Sequence, residues 1–576
     1  MSRDDAPPSD ADRARGTRLP QEGADASATV EPNPPEPPPR SSAASSAIVA
    51  AGIFLSRIAG LVREAVIAGY LGTSLYADAF RAGLRMPNVL QNLLGEGTLS
   101  ASFIPVYSEL LQQGRKEDAG RVAGAIFALL LAVAGAISLF GVVFAAQIVD
   151  VFLLGYEGER RELTIAITRV IFPMTGVLVL SAWSLGILNS HRSFFLPYFA
   201  PVLWNAAIIA TAVVVGRGMD PAALAVALAW GALAGGVLQF AVQLPKVLRL
   251  ERSLRIRWDL KMAEVREAIS NAGPAIMGRG VVQLSAWLDV FLASLLAIGA
   301  VSVILYAQTL YILPISLFGM AVAAAELPEL SRQRQGGLDV LRARASAGLE
   351  RISFYVFPSF FGYLLLGDVI VAGIYQRGEF TAGDTLRVYL SLAALSVGLI
   401  ATTASRMLSS TFFALRDTAT PARFAAVRVG LAVLIGVSLM LMLEGVVVEK
   451  IGLRIPGGPL SHLNVGGEPL GVVGLAMGTG LAAWVEWALL KRSLRRRIGS
   501  VGGRPAMLAR MAAAALVASA AGWGMRLLVP ADALHATFRA VLVLGTFGAV
   551  YFGVAAALGL EQSTAVWRRV RGMVGR

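Results

Sequence analysis

The sequence predicts an all-α, polytopic membrane protein. Three observations carry that reading. Of 576 residues, 56% are hydrophobic and 15% charged, with a mean hydropathy of +0.64, whereas soluble domains carry about 25% charged residues. Apolar runs of roughly 20 residues, the length a helix needs to cross a bilayer, recur along the chain. Basic residues gather in the short links between those runs, the pattern by which membrane proteins set their orientation. Lipid offers the backbone no hydrogen-bond partner, so runs of this length must be helical. There are no cysteines, which excludes disulfides, thiolate metal sites and cysteine nucleophiles together.

Residues 1–45, ending "EPNPPEPPPRSSAASS", hold almost no large apolar side chain and are expected to be a disordered cytoplasmic tail. They lack the basic start and apolar core of a signal peptide. About fourteen apolar segments follow: 46–72, 77–111, 120–148, 164–189, 197–216, 221–244, 265–298, 302–330, 345–374, 384–413, 421–445, 469–490, 506–529 and 534–559. Pro87, Pro274 and Pro314 interrupt the second, seventh and eighth, where kinks are expected. The link after segment six, "KVLRLERSLRIRWDLK", carries Lys246, Arg249, Arg252, Arg255, Arg257 and Lys261. Further basic links follow segments eight and twelve, and the chain ends "WRRVRGMVGR". Links after odd-numbered segments are poorer in positive charge, so both termini are expected inside. The net charge of +13 therefore reports orientation, not a nucleic-acid partner.

The basic linker 246–263 divides an N-terminal lobe, 46–245 (segments one to six), from a C-terminal lobe, 264–492 (segments seven to twelve). Residues 493–576 add segments thirteen and fourteen and a basic cytoplasmic tail. Each lobe opens on a segment with embedded charge. Each later carries a basic turn before a proline, "NSHRSFFLP" and "LRDTATP". This is weak internal symmetry of the kind found in transporters.

The embedded charges are the informative residues. Segment one, "SRIAGLVREAVIAGYLG", holds Ser56, Arg57, Arg63 and Glu64; Arg57 and Glu64 are seven apart and share a helix face. In segment two, Asp78, Arg81 and Arg85 share a face, and Glu96 follows between Gly95 and Gly97. The second lobe holds Arg279, Asp289, Glu326 and Arg406. A charge at the bilayer centre costs at least ~2.5–3.5 kcal/mol, so it faces a partner or a wet cavity. Two readings stay open: arginines that snorkel or pair structurally, and arginines lining a cavity that receives an anion. Guanidinium suits the second, since its planar fork offers paired hydrogen bonds to phosphate and stays charged. Asp78 and Glu64 then read as partners that orient the arginines. Asp289 is either a weak cation or proton site or a structural partner.

No other chemistry is legible. His191, His462 and His535 show no metal spacing, and no GxxxxGK[ST] loop cradles a nucleotide. The protein is therefore not expected to be an enzyme, nor to hold a cofactor or a metal.

These residues also suggest a family. "SRIAGLVREAVIAGYLG" followed by "ADAFRAGLRMPNVLQNLLGEGTLSASFIPVYSELL" resembles the N-terminal signature of the lipid II flippases (MurJ, also called MviN). That family lies within the multidrug/oligosaccharidyl-lipid/polysaccharide exporter superfamily. "GILNSHRSFFLPYFAPVLWN", "NAGPAIMGRGVVQLS", "YQRGEFTAGDT" and "FFALRDTATP" extend the likeness over about 46–560. The resemblance implies fourteen helices, two six-helix lobes around a central cavity, and two further helices. It implies movement of the undecaprenyl-pyrophosphate-linked peptidoglycan precursor, lipid II, from the inner to the outer leaflet of the cytoplasmic membrane. Arg57, Arg63, Ser56, Asp78 and Glu96 match the family's polar signature.

Two departures stand out. Gln91 and Asn92 occupy positions where the family commonly has an arginine pair, and Gln308 and Thr309 replace an Asp-Arg pair. Arg279, Arg81 or Arg85 are the candidates to supply the missing charge. Membrane potential, protons or sodium could drive transport; the polar partners that sodium-binding relatives carry in segment eleven are absent from "VRVGLAVLIGVSLM". The alternatives are a flippase for another polyprenyl-linked saccharide and a non-transporting scaffold of cell-wall synthesis.

Overall fold

The computed structural model describes residues 40–320, 337–530 and 534–563, together with Val322 and Glu326. Residues 1–47 form a unit of their own, and the tail expected over 1–45 lies outside the described residues up to position 39. Arg40 already begins a helix, ahead of the boundary expected at 46; the Ala-containing run after it favours helix. The basic end "WRRVRGMVGR" and Arg332 and Arg334 also lie outside the described residues.

The remainder is nearly all helix. The N-terminal group comprises α1 (Arg40–Leu71), α2 (Leu75–Leu94), α3 (Glu96–Gln112), α4 (Lys116–Val143), the short α5 (Ala145–Phe152), α6 (Gly158–Ser190), α7 (Phe195–Val215) and α8 (Pro221–Leu250). Then come α9 (Ala263–Ser294), α10 (Ala300–Pro314), α11 (Leu338–Leu365), α12 (Gly367–Tyr375), α13 (Ala382–Ser396), α14 (Leu399–Ala414), α15 (Ala419–Leu443) and α16 (Gly471–Ile498). Last are α17 (Pro505–Leu528) and α18 (Ala536–Ala557).

Among the described residues nine helices are long and apolar enough to span a bilayer, or eleven if two bent pairs each count as one span. The expected count of fourteen is not reached. The first, second and seventh expected segments are the ones left over, and they are the ones that carry the charges of interest. For the second the reason is a break. Pro87 is accommodated inside α2, and the chain leaves helical geometry at Gly95 instead, with ψ −147°. Pieces of 20 and 17 residues result. Pro274 sits inside a continuous α9, while Pro314 ends α10 and a wider π-helical stretch, Ile315–Met320, continues it. The bends between α11 and α12 (82°) and between α13 and α14 (42°) carry no proline and were not legible.

Small residues let neighbouring helices approach closely. A Cβ on Gly478 would lie 2.3 Å from Gly436 Cα, so α15 and α16 pack backbone to backbone there. The two turns paired in the sequence share one geometry. Arg192 and Arg416 are the described non-glycine residues with positive φ, at 56° and 61°. The hydrogen bonds Arg192 N to Asn189 O and Ser193 N to Leu188 O recur as Arg416 N to Phe413 O and Asp417 N to Phe412 O.

The link between α15 and α16 forms two small antiparallel hairpins. Val446–Val448 pairs with Leu453–Ile455, and Asn464–Val465 with Glu468–Pro469. The second turns on Gly466 and Gly467, whose φ of 64° and 87° is what such a two-residue turn requires.

Candidate functional site

A cavity of about 1090 Å³ is walled by α1, α2, the start of α3, α6, α7, α8 and α10. Its lining follows helical arithmetic. Ile53, Ser56, Arg57, Gly60, Leu61, Glu64 and Ile67 form one stripe of α1; Arg81, Leu84, Arg85, Asn88, Gln91 and Asn92 form one stripe of α2. Spacings of three and four residues place each set on a single face.

Four arginines meet in this space, in two different states. Arg63 and Arg81 are held. Glu64 Oε1 accepts from Arg63 Nη2 at 2.6 Å, and its Oε2 accepts from Arg81. Arg63 also donates to Asn205 Oδ1 at 3.0 Å and lies over the Trp204 ring at 4.8 Å. Arg81 lies over the Tyr306 ring at 3.5 Å. Arg57 and Arg85 donate to no acceptor among the described residues. One carboxylate thus orients two guanidiniums, while Arg57 and Arg85 make no such bond and Arg85 lies within electrostatic reach of Asp289. Glu64 serves Arg63 and Arg81, not the Arg57 with which it shares a face.

Asp78 is elsewhere. It is fully buried and caps the N-terminus of α10, accepting from Gly299 N at 2.7 Å, Ser302 N at 2.8 Å and Ser302 Oγ at 2.7 Å. Arg160 pairs with it at 3.4 Å. A carboxylate at a helix N-terminus is favoured by the unsatisfied N–H groups and the helix dipole, so Asp78 is a tie between helices and does not orient the cavity arginines. Other ties lie nearby. Thr73 donates to Asp384, Glu379 N donates to Gly69 O at 2.9 Å, and Tyr306 Oη donates to Gly72 O at 3.2 Å. Lys450, on the first hairpin, pairs with Asp150 and donates its N–H to Glu157 Oε1 at 3.1 Å.

Asp289 lines a separate pocket of about 50 Å³ with Arg428 and Thr479 and accepts from Gln308 Nε2 at 2.7 Å. Gln308 itself lines the large cavity. A cation here would find one carboxylate and, facing it, a guanidinium that competes for the same charge. The side chain of Arg279 lies outside the described residues. Glu96 and Ser56 line the cavity. Glu326 is buried between Arg344 at 2.8 Å and Arg351 at 2.6 Å, and Arg406 is not among the lining residues.

Comparison with known proteins identifies the group. Residues 67–449 match the family model described as lipid II flippase MurJ.

The chain belongs to the MurJ family.

It is 31% identical over 535 residues to the lipid II flippase MurJ of Burkholderia cenocepacia, covering 89% of this chain and 96% of that one. It is 30% identical to the probable lipid II flippase MurJ of Bdellovibrio bacteriovorus, covering 90% and 95%. A solved structure titled lipid II flippase MurJ, inward closed conformation, aligns with a TM-score of 0.71 at 21% identity, over 89% of this chain and 98% of that one. An inward-facing MATE transporter of the MOP superfamily aligns at 0.60 and 19%, over 77% and 94%. The protein is a multi-pass membrane protein of the MurJ fold.

Uncharged side chains stand on the wall where the resemblance implied charge. Gln91, Asn92, Gln308 and Thr309 all line the cavity, and Asn92 Nδ2 donates to Gln283 Oε1 at 3.4 Å. Arg81 and Arg85 supply positive charge to the same space from one face of α2. Sequence reasoning missed Trp204, Asn205, Ser181, Gln239 and Gln243. The i, i+4 pair of amides in an otherwise apolar segment six was a usable signal for the last two; nothing local marked Asn205 as the partner of Arg63.

Proposed function

We propose that this chain moves lipid II from the inner to the outer leaflet by alternating access, with the cavity arginines receiving the pyrophosphate. The observation that carries the reading is a pair of guanidiniums, Arg57 and Arg85, that donate no hydrogen bond among the described residues and face a cavity whose other two arginines are fixed by Glu64. Family membership at 30–31% identity over most of the chain supports the choice of cargo.

The polyprenyl tail stays in lipid while the charged, glycosylated head, too polar for hydrocarbon, enters the wet cavity. Arg57 and Arg85 bind the pyrophosphate through charge-assisted hydrogen bonds; Arg63 and Arg81, already balanced by Glu64, add field without closing the grip, so release remains possible. The helices of 46–245 and 264–492 act as the two moving lobes, with both termini cytoplasmic. The ties at Asp78, Thr73 and Lys450 close the outer side and must part for the head to leave. A membrane potential negative inside favours outward movement of an anion by ~2.3 kcal/mol per charge per 100 mV. No resident cofactor takes part in this scheme.

Complementation tests it. The chain is expressed in a bacterium depleted of its own lipid II flippase. Growth is expected with the wild type and not with Arg57→Ala combined with Arg85→Ala. Full growth of the double variant would exclude the arginine cavity, and no growth with the wild type would favour a scaffold role.

A further inference from the structure

We propose that Gln239, Gln243 and Ser181 form a subsite that reads a secondary amide on the cargo's head, either the acetamido group of a sugar or a peptide link. This rests on the cavity being where that head sits. Gln239 and Gln243, one turn apart on α8, both donate from Nε2 to Ser181 Oγ on α6, at 3.1 and 2.8 Å. Gln243 Nε2 also donates to the backbone oxygen of Gln239 at 2.9 Å. That bond fixes the sense of the amide, because turning it over would set oxygen against oxygen.

Gln243 Oε1 is therefore left over. Its side chain belongs to a residue 1% exposed, and no protein donor among the described residues reaches it. A buried acceptor without a partner is rare and asks for an explanation. Ser181, which accepts twice, keeps its own O–H to give, and no described acceptor takes it. All three residues line the cavity, on a wall that carries no charge of its own.

A neutral cluster with one spare acceptor and one spare donor does not suit phosphate. Its complement is a neutral group with N–H and C=O on neighbouring atoms, so that both spare positions are met at once. A secondary amide has that form. A hydroxyl would have to serve both positions through one oxygen. The arginines then bind what every such lipid shares, and this wall reads what distinguishes its head.

The test measures binding of four lipids to the purified full chain: bare polyprenyl pyrophosphate, the same lipid bearing glucose, bearing N-acetylglucosamine, and bearing glucose with an attached dipeptide. The wild type is expected to prefer an amide-bearing lipid over the glucose lipid by about tenfold, the worth of one or two hydrogen bonds. Preference for N-acetylglucosamine assigns the acetamido group; preference for the dipeptide lipid assigns the peptide link. Gln243→Met and Ser181→Ala are each expected to erase the preference while leaving affinity for bare pyrophosphate within about twofold. Equal wild-type affinity for the three glycosylated lipids overturns the proposal, as does a preference that survives both substitutions. Should Gln243→Met misfold, seen as lost binding of the bare lipid, the wild-type comparison and Ser181→Ala still decide. Failure of the wild type to bind even bare pyrophosphate strikes the cavity reading itself, and the subsite falls with it.

Discussion

At the scale of single residues, Glu64 is the side chain on which the cavity's electrostatics turn. Its carboxylate is nearly buried and shared between Arg63 and Arg81. Removing one partner of a buried ion pair typically costs about 3–5 kcal/mol, because the remaining charge is left uncompensated. Glu64→Gln keeps the shape and removes the charge, so it frees two guanidiniums to grip the anion. It should slow release and lower transport at least about tenfold while tightening binding of a pyrophosphate lipid. Transport and equilibrium binding measured together check this; weaker binding would contradict it. Asp150 gives a pH prediction outside the spanning segments. The hydrogen bond from Arg161, with Lys450 beside it, holds its carboxyl down at about 2. A depressed carboxylate stabilises above its ordinary value of 3.8 and loses that contribution only as pH falls through about 2. The Lys450–Asp150 tie should therefore be insensitive to pH between about 5 and 8 but weakened by high salt. The distance between spin labels flanking residues 150 and 450, followed against pH and salt, reads both.

At the scale of elements, the two decisive devices are a capped helix and a glycine seam. Asp78→Ala removes the acceptor for two backbone N–H groups and a hydroxyl at the start of α10, and leaves Arg160 unpaired. Loss of an N-terminal carboxylate costs about 1–2 kcal/mol, and leaving the buried Arg160 without its carboxylate adds to that, so on a two-state equilibrium populations shift by about tenfold or more. The expected result is a protein that opens its outer side more readily. Labelling of a cysteine introduced at Arg81 by a reagent added from outside would rise; unchanged labelling would mean that this cap does not hold the gate. Gly478→Leu drives a side chain into the backbone of α15. Overpacking of this kind costs about 1–3 kcal/mol, to be seen as a lower melting temperature. The elements also show where sequence was readable. Apolar length announced the helices. Period put Arg81 and Arg85 on one face of α2, but it put Asp78 there too, and the continuation of the stripe through Asn88, Gln91 and Asn92 was not drawn from it. The break at Gly95 and the bends at Leu366 and Gly398 were not legible, because each depends on what the helix packs against. The hairpins of 446–469 lie in a link rich in Gly and Pro, whose composition did not announce them.

At the scale of the whole molecule, the charges that first set this chain apart fall into two jobs. Arg57, Arg63, Arg81 and Arg85 were legible as embedded charges, and period placed them on helix faces. Which of them are free was not legible, since Asn205 and Trp204 approach Arg63 from a helix far away in sequence. Asp78 looked like a fifth member of the same set and instead joins α2 to α10, a distinction that only tertiary contact makes. Asp289, paired with Gln308 and within electrostatic reach of both Arg85 and Arg428, lines another pocket. Two guanidiniums of the shared cavity, Arg57 and Arg85, neither of which donates a hydrogen bond among the described residues, are proposed to bind the lipid's pyrophosphate. The direct measurement is equilibrium binding of polyprenyl pyrophosphate to the purified chain and to the Arg57→Ala, Arg85→Ala double variant. Two charge-assisted contacts predict a loss of about a hundredfold or more; affinity equal to the wild type, in a double variant that remains folded, would contradict it.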